Sequence, residues 1–257
     1  MYTDLEAQLH DTFWEQEDII SELPLLEKFY AYKTSLEIGC GSGRLLLPLL
    51  ENGHPIDGVE ISTEMVTLMH QNAEKKNLTS KLETSHIHTA DIIDLKLEKT
   101  YQRVSIPAFT AQLFTRENFH LILRQIKSYT TADAQLYLTL FIPWAEITGE
   151  LSEGDWYIDH EAKLGDDKKS TAQCKTKFTI NRLEQTLSRK HQYSITHPSG
   201  KKQQHRCSQE IQYYTYPELQ LILTTNGWQI NQLITDLSPD QPSHPDAHIL
   251  TIIASKI

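Results

Sequence analysis

The sequence predicts a doubly wound α/β fold with a seven-stranded sheet, interrupted late in the chain by an antiparallel β insertion. Three observations predict it. Short apolar runs alternate with amphipathic stretches of helical length as far as Pro143. From Trp144 to about Tyr214 the periodicity becomes two and the composition turns to Lys, Gln and Thr. After that the α/β pattern resumes and runs to the end.

From Leu5 to Tyr30 apolar residues fall at helical spacing, broken by Pro24, so one or two leading helices are expected. "TSLEI" is a short strand stopped at Gly39. A helix is expected over Ser42–Asn52, bent by Pro48 and closed by "NG". "PIDGVE" reads as the second strand. "STEMVTLMHQNAEKKN" is an amphipathic helix with Ser62 as its cap, and "SHIHTA" is the third strand, ending at Asp91. "YQRVSIPAF" gives the fourth strand, Arg116–Tyr129 a helix, and "AQLYLTLFIP" the fifth strand. In the insertion, "CKTKFTI" and "QTLSRKHQYSIT" alternate as antiparallel strands, with a hairpin turn at "HPSGKK". "YPELQLILTTNGW" is a helix stopped at Gly227, and "WQINQLITDLS" and "HILTIIASKI" are the last two strands.

Composition narrows the function. The chain has 257 residues, 39% hydrophobic and 23% charged, with a formal charge of −10. That charge disfavours a nucleic-acid backbone as partner. Three scattered cysteines (Cys40, Cys174, Cys207) without metal-ligand spacing point to a reduced, cytoplasmic setting. The acidic amino terminus does not read as a signal peptide, and no apolar run approaches the roughly 20 residues of a membrane span. The sequon at Asn77 is read as chance.

"LEIGCGSGRLLLPLLENGHPIDGVEIS", Leu36–Ser62, carries the chemistry. Glycine accepts positive φ and lets a backbone approach a ligand, and the following helix offers free N–H groups. A G-x-G-x-x-G dinucleotide motif fails here, because its third glycine would fall on Arg44 or Leu46. No P-loop Gly-Lys-Ser/Thr follows. What remains is E-x-G-x-G-x-G at a strand end, with Glu60 seventeen residues after Gly43, placed to accept two ribose hydroxyls.

This segment resembles the first two motifs of class I S-adenosylmethionine-dependent methyltransferases, closest to the branch acting on small molecules. The resemblance continues at "HTADIIDL", "YQRVSIPAFTAQLFTRENF" and "YYTYPELQLILTTNGWQI", covering about residues 15–142 and 213–257. It implies a Rossmann-like sheet and S-adenosylmethionine as cofactor, with S-adenosylhomocysteine as product. Carried over by position, Gly39, Gly41 and Gly43 approach the methionine and ribose, and Glu37 holds the amino end. Glu60, followed by Ile61, takes the ribose hydroxyls. Asp91 and the Ile92 backbone read the adenine, and Ile106 and Pro107 line the sulfonium. Arg44 is a candidate for the cofactor carboxylate. Cys40 belongs to the same loop and is read as a small packing residue, not a nucleophile. Two departures stand out: "TTADAQ" replaces a glycine pair before the fifth strand, and Ala90-Asp91 replaces Gly-Asp.

Candidates for the acceptor pocket are Trp14, Phe109, Gln112, Trp144, Arg206 and Tyr214. His191, His205 or a tyrosine of the insertion are candidate bases for an oxygen nucleophile, and no spacing argument selects among them. His86 and His88 share a strand face without a third ligand, and "IPAFTAQ" lacks the acids of the metal-dependent branch, so no metal is expected. The missing Asn/Asp-Pro-Pro-Tyr-like segment argues against methylation of base amino groups. The expectation is methyl transfer to an N or O atom of a small metabolite by a monomer or homodimer. The alternatives are a tRNA or protein methyltransferase, or a non-catalytic S-adenosylmethionine-binding module. Residues 1–143 and 213–257 are expected to form the cofactor core, with leading helices over 1–33, and 144–212 a substrate lid or dimerisation subdomain.

Overall fold

Burial of alternating apolar runs requires a sheet covered on both faces, and the chain builds one. The computed structural model describes residues 2–14, 22–165 and 169–257. The expected helical stretch over residues 15–21 lies outside them. In chain order the elements are α1 (Asp4–Trp14), α2 (Leu23–Tyr30), β1 (Ser35–Ile38), α3 (Leu46–Glu51), β2 (Ile56–Glu60), α4 (Thr63–Lys75), α5 (Thr79–Leu82), β3 (Ile87–Thr89) and β4 (Tyr101–Ile106). Then follow α6 (Arg116–Ser128), β5 (Thr130–Phe141), α7 (Trp144–Thr148), β6 (Tyr157–Leu164), β7 (Ser170–Asn181), β8 (Thr186–Thr196), β9 (Lys202–Gln212), α8 (Tyr216–Thr225), β10 (Trp228–Thr235) and β11 (Ile249–Lys256). Contacts divide the chain into two units, one of residues 22–142 and 212–257, the other of residues 2–14 and 143–211.

The larger unit is the seven-stranded sheet, in the order β10-β11-β5-β4-β1-β2-β3. β1 to β5 run parallel, while β11 lies antiparallel between β5 and β10. Successive strand residues point to opposite faces and feed two separate cores. Leu36, Ile38, Leu136 and Leu138 pack with Phe119 and Ile122 of α6 and Leu219 and Leu223 of α8. Ile56 and Tyr137 pack with Leu26 and Phe29 of α2, Leu46 of α3 and Met69 of α4. Gly58, in the middle of β2, is fixed by packing, since a Cβ there would stand 2.7 Å from the Cys40 sulfur.

Two helices differ from the sequence reading. The helix after the glycines begins at Leu46, because residues 41–45 are spent in turns. Pro48 therefore falls in its first turn, where a helix does not need that N–H. α2 likewise carries Pro24 in its first turn and ends at Ala31, in the left-handed region. α4 behaves as expected, with the Ser62 hydroxyl accepting the Met65 N–H at 3.2 Å.

The second unit is a four-stranded antiparallel sheet, β6-β7-β8-β9. The expected turn at residues 197–201 closes β8 onto β9, with the His197 N–H bonded to the Lys201 carbonyl at 2.9 Å and Gly200 at φ +82. The inward residues Ala162, Ala172, Cys174, Tyr193 and Ile195 receive Leu5, Leu9 and Phe13 of α1.

One buried polar node ties the parallel strands together. Asp57 of β2 accepts the His86 N–H (3.0 Å), the Lys99 ammonium (2.7 Å) and the Tyr101 hydroxyl (2.8 Å). Burial alone would raise its pKa, but these three donors outweigh that and hold the carboxyl below its ordinary value. Asp57→Ala orphans the buried Tyr101 hydroxyl. Urea denaturation should show a loss of about 1–3 kcal/mol, the usual cost of an unsatisfied buried group.

Candidate functional site

The carboxyl ends of β1, β2 and β4 converge on the glycine turn. Gly39 and Cys40 both donate their N–H to the Val59 carbonyl, at 2.8 and 3.1 Å. The Gly41 N–H donates to Glu60 Oε2 at 3.0 Å, and the Ser62 N–H donates to Glu60 Oε1 at 2.8 Å. Gly39, Gly41 and Gly43 all take positive φ (77, 53 and 80). A Cβ on Gly39 would lie 2.5 Å from the Thr110 side chain, so only glycine fits beneath that residue. Each Glu60 oxygen spends one acceptor position on the main chain and keeps another, since an ionised carboxylate offers about four.

Below the turn lie acids. Glu37, at the end of β1, is buried, and its Oε2 has no hydrogen-bond partner among the described residues. Burial, reinforced by Glu22 and Glu60 and opposed by Arg44, pushes its pKa up to about 8. Glu22 precedes α2 and escaped the sequence reading. Its Oε1 accepts the Tyr137 hydroxyl at 3.0 Å and the Thr139 hydroxyl, and its Oε2 accepts the Ala108 N–H at 2.9 Å. Burial raises its pKa against these bonds. The Ala108 bond holds a strained step, because Ala108 and Phe109 both sit at positive φ (52 and 64) immediately after Pro107. The only sequence signal for Glu22 is a single acid beside an apolar run, "ELPLL".

Other expected residues divide by environment. Arg44 is half-buried and acts electrostatically on both Glu22 and Glu37. Ile61 is 44% exposed beside Glu60. Asp91 follows β3, and its Oδ1 accepts the Ile93 N–H at 2.9 Å, while Ile92 is buried. Ile106 is fully buried at the end of β4. The Phe109 ring packs edge-on against Phe141.

Gln112 is a correction. It is fully buried, and its amide is used on the Phe141 N–H (2.7 Å) and on the Phe141 and Gln212 carbonyls (both 3.1 Å). It braces the main chain, with both amide hydrogens and one position of Oε1 engaged. Tyr214 is buried under the Arg116 guanidinium, with a hydroxyl that finds no partner among the described residues, and burial pushes it up to about 12. Trp14, Trp144 and Arg206 belong to the other unit, with Arg206 exposed on β9. So do both candidate bases. His205 contacts Asp4 at 3.3 Å, and His191 is hydrogen-bonded to Thr176 at 2.8 Å.

With this geometry in view, comparison with known proteins gives a consistent answer. Residues 36–133 match the family model described as a methyltransferase domain. No curated protein matches the chain. Among solved structures, it resembles the CcbJ methyltransferase of Streptomyces caelestis at 18% identity and a TM-score of 0.76, over 96% of each chain. It resembles S-adenosylmethionine-bound CalS10 of Micromonospora echinaspora, an amino pentose methyltransferase involved in calicheamicin biosynthesis. That match has 13% identity and a TM-score of 0.69, over 100% of this chain and 98% of that one. It also resembles the sugar N-methyltransferase KedS8 of a Streptoalloteichus species, at 16% identity and a TM-score of 0.70, over 98% and 95%. Identities this low speak to the fold, and the coverage extends that fold through residues 143–211. Residues 36–133 are thus similar to a methyltransferase domain, and the chain shares the fold of these methyltransferases, one of which is S-adenosylmethionine-bound. Among the described residues no helix is long and apolar enough to cross a membrane.

Glu37 makes the stability of the cofactor-free protein depend on pH. Its folded pKa of about 8 lies above its value in an unfolded chain, so its contribution is intact below about pH 4 and is lost as pH rises toward 8. Between pH 5 and 9 the wild type should lose about 3–5 kcal/mol that Glu37→Gln retains. Paired urea titrations across that range read the difference.

Proposed function

We propose that the protein transfers the methyl group of S-adenosylmethionine to a nitrogen or oxygen atom of a small-molecule acceptor, with an amine favoured. The single observation that carries the reading is Glu37: a buried carboxylate oxygen without a partner, below a glycine turn anchored by Glu60. An unpaired buried acceptor of this kind suits an ammonium group, and Glu22 adds negative charge on the same side. The free acceptor positions of Glu60 suit two vicinal hydroxyls, and the exposed Ile61 offers an apolar surface for a purine face. In this reading Gly39, Cys40, Gly41 and Gly43 admit the ligand to the main chain, and Arg44 meets its carboxylate. Asp91 and Ile92 border the base, and Ile106 and Pro107 border the sulfur.

The bound cofactor supplies an electrophilic methyl group on a sulfonium. The chain supplies position and dryness: Glu22 fixes the Ala108–Phe109 step beside the turn, and the Phe109–Phe141 pair gives an apolar wall. The net charge of −10 supports a small acceptor over a nucleic acid. The printed roles of CalS10 and KedS8, an amino pentose and a sugar nitrogen, suggest amino sugars as the first acceptors to try.

Calorimetric titration of S-adenosylmethionine tests the reading. The wild type should bind, and Glu60→Ala should lose about 2–5 kcal/mol, as for truncating one side of a buried polar pair. A panel of amino sugars and their hydroxyl analogues, followed by mass spectrometry for a methyl gain, then separates nitrogen from oxygen acceptors. An absence of binding to the wild type removes the proposal.

A further inference from the structure

We propose that Asp159, Cys174 and His191 form a metal site on the four-stranded sheet, taking a thiophilic divalent cation such as zinc. The three residues are 15 and 17 positions apart in sequence, so no ligand-spacing motif announces them. The sheet brings them together. Cys174 and Thr176 share the inward face of β7, and His191 of β8 is the register partner of Thr176. Asp159 occupies the register shift between Ile158 and His160 on β6, and its carboxylate reaches the Thr176 hydroxyl at 2.7 Å.

The donor atoms all lie within 4.8 Å of one another, and Cys174 Sγ is 3.9 Å from His191 Nδ1. A tetrahedral zinc with bonds of about 2.3 Å to sulfur and 2.0–2.1 Å to nitrogen places those atoms roughly 3.6 Å apart. For that pair a few tenths of an ångström closes the gap. Thiolate, imidazole and carboxylate together match a soft, tetrahedral preference and leave a fourth position for water. The His160 ring nitrogen lies 3.9 Å from the Asp159 carboxylate. Arg189, close enough to act on His191, is bonded to Glu146 at 2.8 Å.

Proton balance is favourable at the imidazole and costly at the thiol. Burial pushes His191 down to about 4, so no proton competes for it at neutral pH. Burial pushes Cys174 up to about 11, and a bound cation reverses that preference. On binding, the thiol proton leaves to solvent and His191 carries its proton on Nε2, freeing the Nδ1 lone pair. Thr176 keeps donating to Asp159 as an outer partner that orients the ligand. All three ligands come from the 143–211 unit, so the cation would tie β6, β7 and β8 together, independently of the methyl-transfer reading.

The test titrates Co²⁺ into metal-stripped full-length protein. A 1:1 thiolate-to-cobalt charge-transfer band is expected, lost in Cys174→Ser and kept in Cys207→Ser. Zinc competition against a chromophoric chelator should weaken at least tenfold in His191→Ala and in Asp159→Asn. Should Cys174→Ser misfold, alkylation mass spectrometry on the wild type replaces it, with stoichiometric zinc expected to protect Cys174 at least tenfold. No thiolate band, a band surviving in Cys174→Ser, or Cys174 alkylated at the same rate with zinc would show a hydrogen-bonded cluster only and overturn the proposal.

Discussion

The carboxylate of Glu60 holds two pieces of backbone that neither element could place alone. One oxygen receives the Gly41 N–H and the other the Ser62 N–H, so one side chain positions the glycine turn and the entry to α4. With the Val59 carbonyl taking the Gly39 and Cys40 N–H groups, four main-chain donors converge on the last two residues of β2. Positive φ at three alternate glycines is a shape the chain would leave if released. The turn keeps it because β2 lies beside β1 in parallel register and delivers Glu60 to that point.

A second constraint comes from the far side of the turn. Thr110 presses on Gly39, and the two residues before it, Ala108 and Phe109, sit in the left-handed region without the excuse of being glycine. Glu22 offsets that strain with a bond from the Ala108 N–H, while Tyr137 and Thr139 of β5 fix its carboxyl group in turn. The acid that shapes the loop also acts on Glu37, so geometry and electrostatics are coupled through one side chain.

Much of this was legible in the residues. The sheet strands, α4 with its Ser62 cap, and the 197–201 turn follow from periodicity and turn chemistry. So does the link between the glycines and Glu60, because strand-end spacing is a local property. What failed was non-local. Pro48 signals a helix interruption, yet its effect depends on where the helix begins, and the glycine turns moved that point to Leu46. Gln112 reads as a polar residue near a strand end, and only the approach of Phe141 and Gln212 shows that its amide braces the main chain. Glu22 looks like a surface acid until β4 and β5 close around it. β6 and β9 went unnamed because their alternation is weak, with exposed positions along most of β9. The amphipathic pattern of α1 marks a helix and carries no address for the sheet it packs on.

Gly58 and Cys40 share one small space, with the sulfur filling the volume that a side chain on β2 would need. The two positions are therefore a single steric unit spread over two loci. A lineage that gains a methyl group at 58 must first give up the sulfur at 40, and Leu46 and Ile87, which would stand 3.0 and 3.1 Å from that methyl group, must give way as well. Substitutions at these two sites should appear in order, and their histories should be correlated, although one lies inside β2 and the other in the turn after β1.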